Sequence, residues 1–313
     1  RAAALADADR LTEMLQADGV TGKLEPWDWR YYAEKRRAAE HDLNEAELKP
    51  YFQLDRMIEA VFSCANRLFG LTATPVDVPL HHAEARAWEI TRNGKHIAIF
   101  IGDYFARGSK RSGASDVTYE RVSGTSVPRD FVELPSQLYE HWLDVPEVLR
   151  EFATHADTGK AIPHALLERL LAASTYDMGF QTVEYVASAL VDLEFHRGPP
   201  PADPMQRQAE VLDEIGMPQA ITMRHATPNF AHVFAGDGYS SSYYSYMWSE
   251  VMDADAFEAF EETGDPFDPG TAKRLEDHIL SVGGSQDAAE LYTAFRGRMP
   301  GPAALLKGRG LAA

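Results

Sequence analysis

The sequence predicts a mainly α-helical protein with one small antiparallel β-sheet. Three features carry that expectation. Most of the chain places apolar residues at helical spacing, as in Met57, Ile58, Val61, Phe62, Ala65 and Leu68. Helix punctuation recurs, with Pro26 suited to a first turn and Gly19 and Gly70 suited to stops. One stretch differs: Asn93-Gly94 separates two β-prone runs, which is the strongest short hairpin signal.

In order, residues 1–18 form an acidic amphipathic helix, and a second opens at Pro26. A third spans residues 54–69. Residues 86–91 and 96–102 should pair as a hairpin, inside a β segment at 84–104 that follows a helical 1–83. Helices then resume at 129–143, 146–156, 162–172, 177–195, 203–215, 239–262, 269–282 and 286–297, with a short tail near 302–309. The stretch 126–313 should therefore be a helical bundle. Residues 199–204 are a proline-rich connector.

Composition limits the function classes. With 45% hydrophobic and 25% charged residues, the 313-residue chain has ample material for a core. A net charge of −18 argues against nucleic acid, whose phosphates call for Lys and Arg. No apolar run is long enough to span a bilayer, so no membrane role is expected. The single cysteine, Cys64, lies in an apolar helical stretch and reads as buried and inert. That scarcity fits a cytoplasmic protein. The chain begins Arg1-Ala2-Ala3-Ala4 without an initiator Met, so the sequence is expected to start inside a longer one.

Metal-binding spacing is absent. The eleven histidines are 41, 81, 82, 96, 141, 155, 164, 196, 225, 232 and 278, and no two stand four apart. No HExxH, HxxEH, P-loop or nucleophile elbow occurs. Two stretches stand out. In residues 123–137, Asp130, Glu133 and Gln137 would share one face of a helix capped by Ser126. Acids near a helix start ordinarily serve the macrodipole, and that is the plainer reading of these residues alone. In residues 230–248, a glycine-bearing loop precedes Tyr239, Tyr243 and Tyr246, which would also share a helical face. Such a stripe usually belongs to a core, although its phenols can also line a cleft and donate to an oxyanion.

These stretches, with four others in the same order, resemble the thimet oligopeptidase/peptidyl-dipeptidase family of zinc oligopeptidases, peptidase family M3. The others are Pro26-Trp27-Asp28-Trp29-Arg30-Tyr31-Tyr32, Lys49-Pro50-Tyr51-Phe52, Gly102-Asp103-Tyr104-Phe105-Ala106-Arg107 and Leu306-Lys307-Gly308-Arg309-Gly310-Leu311. The resemblance implies a zincin-like helical bundle acting on short peptides with zinc. It implies Glu133 as a zinc ligand supported by Asp130, His232 and Tyr243 as substrate-binding residues, and Tyr239 and Tyr246 as catalytic hydroxyls.

One departure qualifies this. The resemblance implies an HExxH helix between Lys110-Arg111-Ser112-Gly113-Ala114 and Ser115-Asp116-Val117-Thr118-Tyr119, and here Ala114 runs directly into Ser115. Two of three implied zinc ligands and the implied catalytic Glu are missing. The expectation is an incomplete M3 catalytic domain across 1–313 that holds no zinc stably and does not hydrolyse peptides. The alternatives are a non-catalytic peptide binder or a fragment without function of its own.

Overall fold

The computed structural model describes residues 1–108 and 127–312. The Ala114–Ser115 junction and the expected cap Ser126 lie outside them.

The chain opens with α1 (Ala2–Ala17), α2 (Pro26–His41), the short α3 (Glu45–Leu48) and α4 (Leu54–Phe69). Asp28 accepts the Glu25 backbone N–H at 3.1 Å and closes the start of α2. Gly70 ends α4 in the left-handed region, at φ 66°, where a Cβ would be strained.

A three-stranded antiparallel sheet follows, in the order β1 (Leu71–Pro75), β2 (Arg86–Arg92) and β3 (Lys95–Gly102). The expected hairpin forms. Asn93 and Gly94 both have positive φ, 50° and 72°, as a tight two-residue turn requires. Trp88 stands opposite Phe100. A bulge between Ile90 and Thr91 shifts the register beside the turn. The strand β1 corrects the expectation that residues 1–83 are helical. Its five residues, Leu-Thr-Ala-Thr-Pro, alternate apolar and polar, with Leu71 and Ala73 half-buried and Thr72 and Thr74 exposed, and they pair with β2. Among the described residues β3 pairs on one side only, and Ile97, Ile99 and Ile101 are exposed.

The remainder is helical: α5 (Leu134–Leu143), α6 (Pro146–Phe152), α7 (His164–Ala172), α8 (Met178–His196), α9 (Pro204–Glu214), α10 (Ala231–Phe234), α11 (Ser245–Glu261), α12 (Pro269–Leu275), α13 (Ala288–Arg296) and α14 (Ala303–Gly308). Two expected helices begin later than their sequence suggests. Residues 129–133 form tight turns, with Phe131 N–H bonded to Pro128 O and Leu134 N–H to Phe131 O, so α5 starts at Leu134. Residues 239–244 are also turns, and α11 starts at Ser245. After α12 the chain winds through a π-turn at Glu276–Leu280, and Arg92 of β2 pairs with Glu276 there at 2.5 Å.

The largest core gathers Cys64 and Leu68 of α4, Leu134, Leu138 and Trp142 of α5, Phe260 of α11, Leu275 of α12 and Tyr292 of α13. A second joins Leu11 and Leu15 of α1 and Trp29 of α2 to Phe180 of α8. A third, which supports the candidate site, joins Val191 of α8, Val211 of α9, Val233 of α10 and Tyr243. Cys64 is buried, and burial pushes its thiol up to about 11, as an inert core thiol requires. No helix among the described residues is long and apolar enough to cross a membrane.

Candidate active site

Two turns, each just ahead of a helix, meet at the site. The first, residues 127–133, leads into α5 and carries Asp130 and Glu133. The second, residues 239–244, leads into α11. The long helices α5 and α11 pack along each other and set the turns side by side.

Direct bonds join them. Tyr239 OH donates to Glu133 Oε1 at 3.3 Å, and Ser136 Oγ donates to Glu133 Oε2 at 3.1 Å. Tyr244 OH donates to Asp130 Oδ2 at 3.0 Å, and Ser249 Oγ donates to the Asp130 carbonyl at 3.2 Å. Gln137 Nε2 donates to the Tyr246 carbonyl at 3.3 Å. The carboxylates therefore do not share a helical face, as the spacing alone suggests. Glu133 is the residue before α5, and Asp130 sits a turn earlier.

His232, on α10, gathers the three tyrosines. Its ring lies 4.3 Å from that of Tyr239, 6.0 Å from Tyr243 and 5.8 Å from Tyr246. His232 Nε2 and Tyr246 OH share a hydrogen bond of 2.8 Å. Tyr239 and Tyr246 stack with centroids 5.5 Å apart and planes 6° from parallel. Only Tyr246 is helical, in the first turn of α11; Tyr239 and Tyr243 converge on it from the preceding turn. The guanidinium of Arg129 lies 4.7 Å over the Tyr239 ring, a cation–π contact.

The electrostatics keep these groups as neutral donors. Partial desolvation, and after it the nearby His225, lowers the His232 pKa, so its imidazole is uncharged at neutral pH. Burial first, then the Tyr239 hydroxyl and the Glu133 carboxylate, raises the Tyr246 phenol above its ordinary range. A phenol held neutral beside a neutral imidazole can donate to an oxygen that gains negative charge.

The described residues do not fit a zinc ion. A catalytic zinc takes three protein ligands and keeps one position open. Among the described residues no group of three His, Cys, Asp or Glu side chains is placed to hold a metal. Residues 109–126 contain neither His nor Cys. Both oxygens of Glu133 already accept hydrogen bonds.

The site thus brings together the six residues that the resemblance implies for it: Asp130, Glu133, His232, Tyr239, Tyr243 and Tyr246. Sequence reasoning missed Tyr244, whose hydroxyl engages Asp130, and Arg129. It also missed Tyr185 of α8, whose hydroxyl donates to the Tyr243 carbonyl. Nothing local marks Tyr185, because its partner is 58 residues away.

The two turns thus join the carboxylates to a histidine–tyrosine cluster, on a helical bundle with a small sheet. The sequence description of peptidase family M3 matches residues 2–119 and 114–311, which is most of the chain. The chain belongs to peptidase family M3. It is 34% identical over 350 residues to a dipeptidyl carboxypeptidase of Escherichia coli (strain K12), covering 92% of this chain and 51% of the relative. It is 30% identical over 366 residues to an oligopeptidase A of Salmonella typhimurium, covering 96% and 54%. A thimet-like oligopeptidase of Dictyostelium discoideum is 35% identical over 204 residues, covering 63% and 30%. The chain spans about half the length of the first two relatives. Both of those alignments are longer than its 313 residues, so these relatives carry residues with no counterpart here. The two family matches meet at 114–119.

Proposed function

We propose that this chain supplies the peptide-contacting wall of a zinc oligopeptidase that hydrolyses short peptides in the manner of a peptidyl-dipeptidase, and that the chain by itself does not hydrolyse them. In this reading His232 and Tyr243 contact the peptide, and Tyr239 and Tyr246 donate to the oxygen of the bond under attack. Glu133 is the one zinc ligand present, with Asp130 supporting its turn through Tyr244. In the complete enzyme zinc would supply a hydroxide and polarise the carbonyl. The absence of HExxH from the sequence carries the second half of the proposal, because one carboxylate does not hold zinc against water. The matched relatives, a dipeptidyl carboxypeptidase and an oligopeptidase A, favour short peptides as the ligand class. Location in the cytoplasm belongs to the same proposal.

A second reading is a peptide binder with no catalytic role, favoured by the intact histidine–tyrosine cluster. One experiment tests both. The purified chain is loaded with zinc and assayed on an internally quenched oligopeptide, and its affinity for a fluorescein-labelled penta-alanine is measured. Binding without turnover is expected, and chelator-sensitive turnover would refute the loss of activity. Absence of both binding and turnover would leave neither reading standing.

A further inference from the structure

A buried carboxylate outside the cluster holds its backbone. Asp192, on α8, has no exposed surface. Its Oδ1 accepts the N–H of Ser241 at 3.0 Å, and its Oδ2 accepts the N–H of Tyr243 at 2.9 Å. Ser241 has φ 62°, a left-handed conformation that costs a non-glycine residue energy and persists only where surroundings impose it. His196, one turn along α8, places Nδ1 2.8 Å from Asp192 Oδ1, and its ring stacks on Phe234 of α10 at 5.1 Å. Two turns back, Tyr185 stacks on Tyr243 at 5.0 Å and accepts the Met247 N–H at 3.3 Å. The turn is thus gripped at two points from one helix.

We propose that Asp192 is the positioning residue of the tyrosine cluster. It acts through the backbone of residues 239–244 to set Tyr239 against Glu133 and Tyr243 beside His232. The inference rests on the proposed peptide contact for its consequence in binding, but not for its geometry. A carboxylate suits the task because two N–H donors, two residues apart, each need an acceptor oxygen. Asparagine offers one acceptor and turns an N–H₂ group toward the other donor, leaving a buried N–H unpaired.

A merely structural anchor would change stability alone, so the test reads the cluster itself. The full chain is compared with Asp192→Asn and with Asp255→Asn. Asp255 is also a buried carboxylate, but it binds Tyr292 OH at 2.8 Å and Arg296 Nε at 3.3 Å. The readouts are ring NMR resonances of isotope-labelled Tyr239 and Tyr246, affinity for fluorescein-labelled penta-alanine, and thermal midpoint. Asp192→Asn should abolish the mutual ring-current shifts of the stacked pair and weaken affinity by about tenfold or more. Asp255→Asn should lower the midpoint and leave both signals in place. Retained ring shifts in Asp192→Asn, or equal losses in both variants, overturn the proposal. Should Asp192→Asn fail to fold, Asp192→Glu displaces the two oxygens by one methylene. Unchanged ring shifts in that variant overturn the proposal equally. If the unsubstituted chain binds no peptide, the binding reading falls, and the ring shifts alone decide the role of Asp192.

Discussion

The hydroxyl of Tyr239 lies 3.3 Å from Oε1 of Glu133, across 106 residues of sequence. The contact needs α5 and α11 to pack together, and it needs each to start late, so that a turn stands free ahead of its first residue. It also separates two roles for Tyr239, whose ring stacks on Tyr246 while its hydroxyl meets the carboxylate.

Tyr239→Phe keeps the ring and deletes the donor. Ser136 still serves Glu133, and both groups remain partly exposed, so folding stability should fall by about 1 kcal/mol or less. Tyr246→Phe removes the bond to His232 and should weaken binding of labelled penta-alanine by about tenfold. Urea unfolding and fluorescence anisotropy measure the two effects. Loss of binding only in proportion to lost stability would show that the hydroxyls serve packing alone.

Folding stability should depend most on the α5–α11 core. Trp142 has no exposed surface, meets Phe260 edge-on at 5.0 Å, and donates its indole N–H to the Pro266 carbonyl at 2.6 Å. Trp142→Ala should cost about 3–5 kcal/mol. Trp27, 77% exposed, should tolerate alanine within about 0.5 kcal/mol. Comparable urea midpoints for the two variants would contradict this.

Burial pushes Asp177 up from 3.8 to about 6, although the Trp29 indole N–H donates to its two oxygens at 3.2 and 3.3 Å. The folded chain therefore holds this proton more tightly than the unfolded chain does. The stabilisation from that proton is present in full below the unfolded value and is lost as pH rises through the folded value. Asp177→Asn should remove this loss, so its melting temperature should gain on the parent protein from about pH 4 to pH 6. Parallel melting curves across that window would count against it.

The β3 edge should drive association. Its outer backbone groups have no strand partner among the described residues, and Ile97, Ile99 and Ile101 stand in water. Sedimentation velocity at rising concentration should show larger species, and Ile99→Lys should shift them toward monomer. A single monomer peak at all concentrations would refute the idea.

Much of this was legible locally. The Asn93-Gly94 turn specifies its hairpin because both residues tolerate positive φ, and Gly70 marks the end of α4 for a similar reason. Where the structure departs, tertiary contacts decide. Residues 71–75 alternate apolar and polar, but the run is short and is held as a strand by pairing with β2. Tyr239 and Tyr243 keep the order their spacing suggests but leave the helix, because Asp192 draws two of the turn's N–H groups onto α8. Asp192 gives no local signal, since its partners lie 49 and 51 residues away. The six site residues were found through family motifs. Spacing alone placed the two carboxylates, and the three tyrosines, each on a helical face that does not form.

The two largest cores each draw on both sides of residues 109–126. Leu11 and Trp29 pack with Phe180, and Cys64 and Leu68 pack with Trp142 and Phe260. Strands β1 to β3 belong to the first side, and Arg92 reaches across to Glu276. A peptide bond cut in that interval would therefore release neither piece. The nicked protein should elute as one particle under native conditions and part only in denaturant. The two pieces expressed separately should find each other, so the molecule is a natural candidate for a split-protein reporter.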